Sequence, residues 1–390
     1  MTSLFVVLLA VLIVAELTKG LSANGTPPVL QGFSRQMDLA YFMWSNIARI
    51  RIVLAVALIV VGAQVPLGDR PGLIILSICL LALWFGIYWL FNRFWVGRLK
   101  FPKLESRLFV TAAENTIDLS VQVVGVDHNG EQKAIPATVI DHHHQVPDEV
   151  GGRPMWFTYC GLCRSARVYD LDLDGTTLDF FLVGAVTYNA VFQDNQTGSW
   201  WRQETGEAVK GPLAGRILAD VPHEHMSLGN WLNKYPDSKV LQYDPQWIDV
   251  YHWHEKMLDY EVSFPGWMMQ DLPRLVLGLE VGDHARAYDF EELKKSDPIH
   301  DEVGAIPLLV FADTEGFSPF AYDRTIDGQK LEFERAGDGF TDVQTQSSWD
   351  KFGRCTAGAL EGKELRTIQC HQQFVRSWIE FHRDTTFYKF

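Results

Sequence analysis

Cysteine is scarce in this chain of 390 residues: five are too few for a disulfide-dense secreted scaffold, so any thiol chemistry must be local. Basic charge is short as well. Lys and Arg number 34 against 48 Asp and Glu. The deficit is uneven, because residues 1–97 hold six basic against three acidic residues, leaving 28 against 45 in the remainder. So acidic a remainder argues against a nucleic-acid partner and against peripheral docking on anionic lipid. Also missing are a phosphate-cradling glycine loop, a G-x-S-x-G elbow and an H-E-x-x-H helix. A composition of 47% apolar and 13% aromatic residues excludes disorder as the main state and can build a sizeable core.

The first hundred residues read as membrane. Leu73 to Phe91 is an uncharged run long enough to cross about 30 Å of hydrocarbon. It ends in Trp89, Phe91, Arg93, Phe94, Trp95 and Arg98, an aromatic and basic interfacial set. Ile52 to Gly68 is a second uncharged stretch, entered through Arg49 and Arg51 and separated from the next by Gly68-Asp69-Arg70-Pro71-Gly72. Met1 to Ala15 is uncharged and lacks the positive start of a signal peptide, so it reads as a short first span. The expected membrane region is 1–97, with spans at about 1–17, 52–68 and 73–91, followed by a connector at 98–120. Lys19, Arg35, Arg49 and Arg51 between spans one and two, and Arg93, Arg98, Lys100, Lys103 and Arg107 after span three, put the large C-terminal part on the cytoplasmic side of the cell's inner membrane. The lipid bilayer is the expected partner, and other membrane proteins are compatible with such an anchor.

From residue 104 onward the chain alternates in short Val-, Thr- and aromatic-rich runs with turns such as Asp174-Gly175 and Asp327-Gly328. The pattern predicts a mostly β (α+β) domain. An internal repeat runs through it: Gly125, Ala134, Pro154, Tyr169 and Phe180 meet Gly278, Ala287, Pro307, Tyr322 and Phe333 at one constant offset. At slightly shorter offsets Phe192, Asp194, Thr197, Ser199 and Trp201 meet Phe340, Asp342, Thr345, Ser347 and Trp349, and Gly206, Gly211 and Trp231 meet Gly353, Gly358 and Trp378. The expected architecture is two β repeats, 121–245 and 274–390, related by a pseudo-twofold axis, with 246–273 as a strap carrying Trp247, His252, Trp253, His254 and Trp267.

Residues common to both copies are explained by turns and core, so chemistry is sought where the copies differ. The first copy has Asp141-His142-His143-His144 against Lys294-Lys295-Ser296-Asp297, and Cys160-Gly161-Leu162-Cys163 against Asp313-Thr314-Glu315-Gly316. A C-x-x-C pair can be a disulfide in a turn, a dithiol, or two thiolate ligands for a soft metal. Arg164 to Tyr169 alternates like a strand, so a cysteine at a helix N-terminus is not expected, and Arg164 or Arg167 would have to lower the thiol pKa instead. No cofactor is required. A Cu or Zn ion is the alternative, with Cys160 and Cys163 joined by His143, His144, His252 or His254, or by His142, His223 or His225; His252-Trp253-His254, read as extended, puts two imidazoles on one face, where packing at the repeat junction is the other reading. Cys355, Cys370 and Cys79 read as packing residues, and the paired Asp194 and Asp342 as turn caps.

Phe157-Thr158-Tyr159-Cys160-Gly161-Leu162-Cys163, Asn195-Gln196-Thr197-Gly198-Ser199-Trp200, Gly206 to Gly215 and Val221-Pro222-His223 resemble the family called domain of unknown function 3179, over about residues 120–390. Some members carry selenocysteine in the T-Y-C-x-x-C motif, and the resemblance therefore implies redox use of Cys160 or Cys163. It also implies an extracytoplasmic domain, since many members look exported, which conflicts with the charge-derived side and leaves the side open. This chain departs in having Gly161 where the family usually has Pro, and Asp141-His142-His143 where it usually has an N-W-H-E-like run, with His143 or His144 the nearest match. The expectation is a membrane-anchored thiol-disulfide oxidoreductase using Cys160 and Cys163 with His143 or His144 handling a proton; the alternatives are a Cu/Zn-binding module and a non-catalytic assembly platform of a membrane complex.

Overall fold

The structure, a computed structural model, describes residues 1–24, 35–65, 70–258, 274–313 and 318–390. The chain divides into two units, one of residues 1–102, 178–203 and 207–217, the other of 103–177, 204–206 and 218–390.

Among the described residues, three helices in the first unit are long and apolar enough to cross a membrane: α1 (Thr2–Asn24), α2 (Gln36–Gly62) and α3 (Pro71–Trp89), the last prolonged by one π-helical turn over Leu90–Phe94. A short α4 (Gly97–Lys100) follows. The first two spans are longer than hydropathy alone suggested, since α1 runs on to Asn24 and α2 starts at Gln36; the end of the expected second span, 66–68, lies outside the described residues. Charge inside the helices explains the shortfall. Glu16, fully buried, takes two hydrogen bonds from the Arg51 guanidinium. Asn92, in the π turn, accepts from Arg51 at 3.0 Å and from Lys19 at 2.8 Å, while Lys19 also donates to the Phe91 carbonyl at 3.2 Å. Polar groups that satisfy one another in this way can stay at membrane depth. Gly20 admits the Phe91 ring, which would stand 2.2 Å from an added Cβ.

The same unit contains a four-stranded antiparallel sheet made of Phe180–Val186, Asn189–Asp194, Trp200–Arg202 and Ala208–Lys210. Its Phe181, Val183, Val191 and Trp200 are buried with Ala23 and Ala40 and against Met37, Tyr41 and Trp44. The Trp200 ring meets Tyr41 edge-on at 5.3 Å and Trp44 at 5.9 Å.

The second unit is mostly β. Phe109–Val110, Lys239–Leu241, Glu131–Pro136, Gln122–His128 and Glu224–Ser227 form a five-stranded sheet, and Gln145–Val150, Arg153–Cys160 and Ser165–Asp170 an antiparallel three-stranded one. Three further four-stranded sheets contain Leu275–Val281, Ile306–Asp313 and Phe333–Ala336. Five helices decorate these sheets: α5 (Ala137–His143), α6 (Leu228–Lys234), α7 (Ile248–Leu258), α8 (Phe290–Lys295) and α9 (Val375–Phe381). Both Asp-Gly pairs turn tight two-stranded ribbons, with φ +55° and +80° at Asp174-Gly175 and +49° and +79° at Asp327-Gly328. Val124, Ile140, Val146, Phe157, Tyr159 and Val168 belong to one core, and the strands bearing them carry the cysteine motif.

Candidate functional site

Arg153–Cys160 and Ser165–Asp170 are a hairpin, and the C-x-x-C motif is its turn: Cys160 pairs with Ser165, and the Cys163 N–H donates to the Cys160 carbonyl at 3.0 Å. Arg164 closes the turn with φ +55°. The strand after the motif matches the sequence reading. The two sulfurs are 2.7 Å apart, and both residues are buried at 2% and 0% exposure while Leu162 at the tip is 52% exposed. A strand from the far end of the chain seals the turn, where the Phe374 N–H donates to the Cys163 carbonyl at 2.9 Å.

Asp141 lies against this turn. The three-histidine tract is the end of helix α5, with His144 in the left-handed conformation that stops it. A Cβ built on Gly161 would stand 2.4 Å from Asp141 Oδ1, so a glycine there leaves room for the carboxylate. Asp141 Oδ2 accepts from His254 Nδ1 at 2.6 Å. His143 is committed elsewhere, its Nε2 lying 2.8 Å from the Tyr251 hydroxyl. His142 is enclosed by His143, Trp247 and His254, with ring centroids 4.6, 5.0 and 5.5 Å away, and its Nε2 has no hydrogen-bond partner among the described residues. Burial first, then the neighbouring imidazoles, pushes the His142 pKa down to about 3.

The expected metal set does not assemble. His252-Trp253-His254 is helical, not extended, and at about 100° per residue positions i and i+2 face nearly opposite ways. His252 is accordingly exposed and bound to Glu255 at 2.9 Å, while His254 turns inward to Asp141. Among the described residues no group of three or more His, Cys, Asp or Glu side chains is arranged to hold a metal ion. The Cu/Zn reading of Cys160, Cys163, His143, His144, His252 and His254 therefore has no ligand cluster behind it.

Glu204 and His371 escape the sequence reading, whereas His225 enters it as a candidate ligand and Arg167 as a charge that lowers the thiol pKa. His225, 8% exposed, has neither ring nitrogen partnered among the described residues, and its ring lies 6.1 Å from that of Tyr159. Burial, then the Arg164 and His223 charges, lowers its pKa to about 3. On the Ser165–Asp170 strand, Arg167 is clamped by Glu204, with contacts of 2.6 and 3.2 Å, and donates to His371 Nε2 at 2.8 Å. His371 must be neutral to accept, and burial followed by the Arg167 charge holds its pKa well below the ordinary value. Ser165 donates to the same carboxylate. No local pattern announces Glu204 or His371, since both reach the motif by folding alone. A separate cavity of about 240 Å³ is lined by Glu224, Lys234, Tyr235, Tyr322 and Cys370. Burial pushes the Cys370 thiol up to about 12, which keeps it protonated and chemically quiet.

A family model described as a protein of unknown function, DUF3179, matches residues 98–385. The chain belongs to the DUF3179 family. No curated protein and no solved structure matches it. The DUF3179 match takes in the cysteine turn, α5 and α7, so every residue of the site just described falls inside the family's extent.

Proposed function

We propose that this DUF3179 member is a membrane-tethered thiol–disulfide exchange protein acting through Cys160 and Cys163. The observation that carries the reading is the pair of sulfurs 2.7 Å apart in a hairpin turn, with a carboxylate–imidazole pair against the turn. In the reductive direction, the thiolate of one cysteine attacks a sulfur of a disulfide-bonded substrate. An S–S bond forms between protein and substrate, the substrate's S–S bond breaks, and its second sulfur leaves as thiolate and takes a proton from water. The other cysteine then displaces the substrate, so that the Cys160–Cys163 disulfide forms while two electrons and two protons pass to the substrate. Exposure does not set the order of attack, because both cysteines are nearly fully buried.

The domain behind this site is, on the same proposal, two copies of one β unit, 121–245 and 274–390, joined by a strap at 246–273 and to the membrane helices by 98–120, about a pseudo-twofold axis. Recurrent contacts support it. An added Cβ at Gly125 would meet the Trp231 ring at 2.3 Å, and one at Gly278 the Trp378 ring at 2.4 Å. Trp201 donates to Asp194 at 2.8 Å and Trp349 to Asp342 at 3.0 Å, each carboxylate also taking the N–H of a threonine three residues on. The cysteine turn belongs to the first copy only.

The test uses full-length protein in detergent, equilibrated in glutathione buffers of graded potential and trapped by alkylation. The expected result is a two-electron titration between two free thiols and an intramolecular disulfide, with a glutathione mixed disulfide trapped in Cys160→Ser or Cys163→Ser. A pair that stays in one state across the whole range would leave an inert assembly platform as the better description.

A further inference from the structure

The apolar runs of the three membrane helices end at one level. On α1 the run from Thr2 to Ala15 stops at Glu16, on α2 the run from Ile52 to Gly62 starts after Arg51, and on α3 with its π turn the run from Pro71 to Phe91 stops at Asn92. Glu16, Arg51 and Asn92 are hydrogen-bonded to one another, which in a bilayer places them together at the edge of the hydrocarbon, where headgroups begin. Charge is unbalanced at this level. Residues 16–51 and 92–100 hold seven basic side chains against two acidic ones, and Asp38, one of the two, is paired with Lys210 at 2.6 Å. Lys19 and Arg51 both donate to the Asn92 amide oxygen, at 2.8 and 3.0 Å, and Glu16 is the one carboxylate in the cluster, so one positive charge is left over.

Arg51 carries that charge outward. Its Nε and Nη2 make the hydrogen bonds to Glu16 and Asn92, Nη1 has no partner among the described residues, and the side chain is 23% exposed. The Tyr88 ring covers the guanidinium at 4.8 Å, and Trp84, one turn deeper on the same face of α3, continues this aromatic wall at 5.6 Å from Tyr88. A charged amino group without an acceptor is costly at the edge of hydrocarbon. We propose that the three helices bind an anionic phospholipid, with its phosphate on Arg51 Nη1 and its acyl chains against the apolar side chains that α2 and α3 expose, among them Val53, Val56 and Phe85. The leftover charge selects an anion over a neutral ligand. A guanidinium amino group gives phosphate oxygens short, charge-assisted bonds, and a phospholipid, unlike free phosphate, also covers the apolar faces beside them. The site belongs to the basic anchor, not to the acidic domain that follows it, and it stands independently of the thiol–disulfide reading.

The experiment offers full-length protein, freed of bound lipid in detergent, equal amounts of dioleoyl phosphatidylglycerol and dioleoyl phosphatidylcholine, and weighs the adducts by native mass spectrometry. Phosphatidylglycerol is expected to prevail about fivefold, the weight of one basic side chain near an anionic headgroup. Arg51→Gln is expected to bring the two lipids to parity. Arg49→Gln removes the same charge two positions away, from an exposed side chain outside the cluster, and is expected to keep the preference. Circular dichroism checks that each variant is folded; if Arg51→Gln is not, Glu16→Gln combined with Arg51→Gln, which leaves no carboxylate unpaired, repeats the measurement. Equal adducts of both lipids in the wild type, a preference that survives the loss of Arg51, or one that falls as far in Arg49→Gln overturns the proposal. Inorganic phosphate, added in the same way, is expected to leave phosphatidylglycerol in place; a phosphate adduct that displaces it would assign the site to free phosphate and overturn the lipid assignment.

Discussion

In the sheet that runs from Phe180 to Lys210, Trp200 is fully buried; in the sheet from Phe333 to Ala357, Ser348 occupies the corresponding place and is exposed. The two sheets share their inner construction. Asp194 pairs with Phe180 and Asp342 with Phe333, each aspartate takes a tryptophan N–H, and each sheet has its register shift directly before that tryptophan. They differ on the other face. Phe181, Val183 and Trp200 lie against α1 and α2, whereas Glu334, Ala336 and Ser348 are exposed. Alternation along a strand lets one face be rewritten while the other is kept, so a single strand plan serves both a helix-covered and a water-covered sheet.

Exchanging those outer residues gives the largest expected effect. Trp200→Ser should cost about 3–5 kcal/mol of unfolding free energy in detergent, from the loss of a buried aromatic and its two edge-on contacts. A cost under about 1 kcal/mol would mean the helices do not hold this sheet. The inner face should respond alike in both sheets: Asp194→Ala and Asp342→Ala are each expected to cost about 1–3 kcal/mol by stranding a tryptophan N–H, and a large inequality would break the parallel. Gly125→Ala and Gly278→Ala, each driving a methyl into a tryptophan ring, should match one another at about 1–3 kcal/mol. His225→Gln sharpens the contrast in acid only. The His225 pKa lies at about 3 in the folded chain against an ordinary 6.5, so its contribution is complete above about pH 6.5 and is lost as pH falls toward 3. The variant's melting temperature should therefore decline less between those limits than the wild type's. The smallest effect is that of Ser348→Trp, expected within about 0.5 kcal/mol because its side chain meets water, and read more easily as self-association than as stability.

Much of this was legible in the sequence because it is local. The Asp-Gly ribbons, the strand after Cys163 and the turn-capping Asp194 and Asp342 are set within a few residues. The span of α2 was not, since Arg49 and Arg51 interrupt its hydropathy and it is Glu16, 35 positions away, and Asn92, 41 positions away, that make Arg51 tolerable. His252 and His254 were misjudged for a different reason: the alternation in His-Trp-His suits a strand, and it is the helix over Ile248–Leu258 that separates the two rings. The site was half visible. Cysteine spacing marked the turn, but the contacts of Asp141 with His254, of Arg167 with His371 and of Phe374 with Cys163 each join distant stretches, and no spacing rule encodes them.

The Glu16–Arg51–Asn92–Lys19 cluster also constrains how the anchor enters a bilayer. Each of the three helices brings at least one group that is costly alone in hydrocarbon, on the order of 3 kcal/mol for a lone arginine or lysine near a helix centre. Arg51 is relieved by Glu16 of α1 and by Asn92, and Lys19 by Asn92 and the Phe91 carbonyl in the π turn that prolongs α3. The helices are thus unsuited to partition one by one. Helices whose polar groups satisfy one another in this way are compatible with entering a bilayer as a trio.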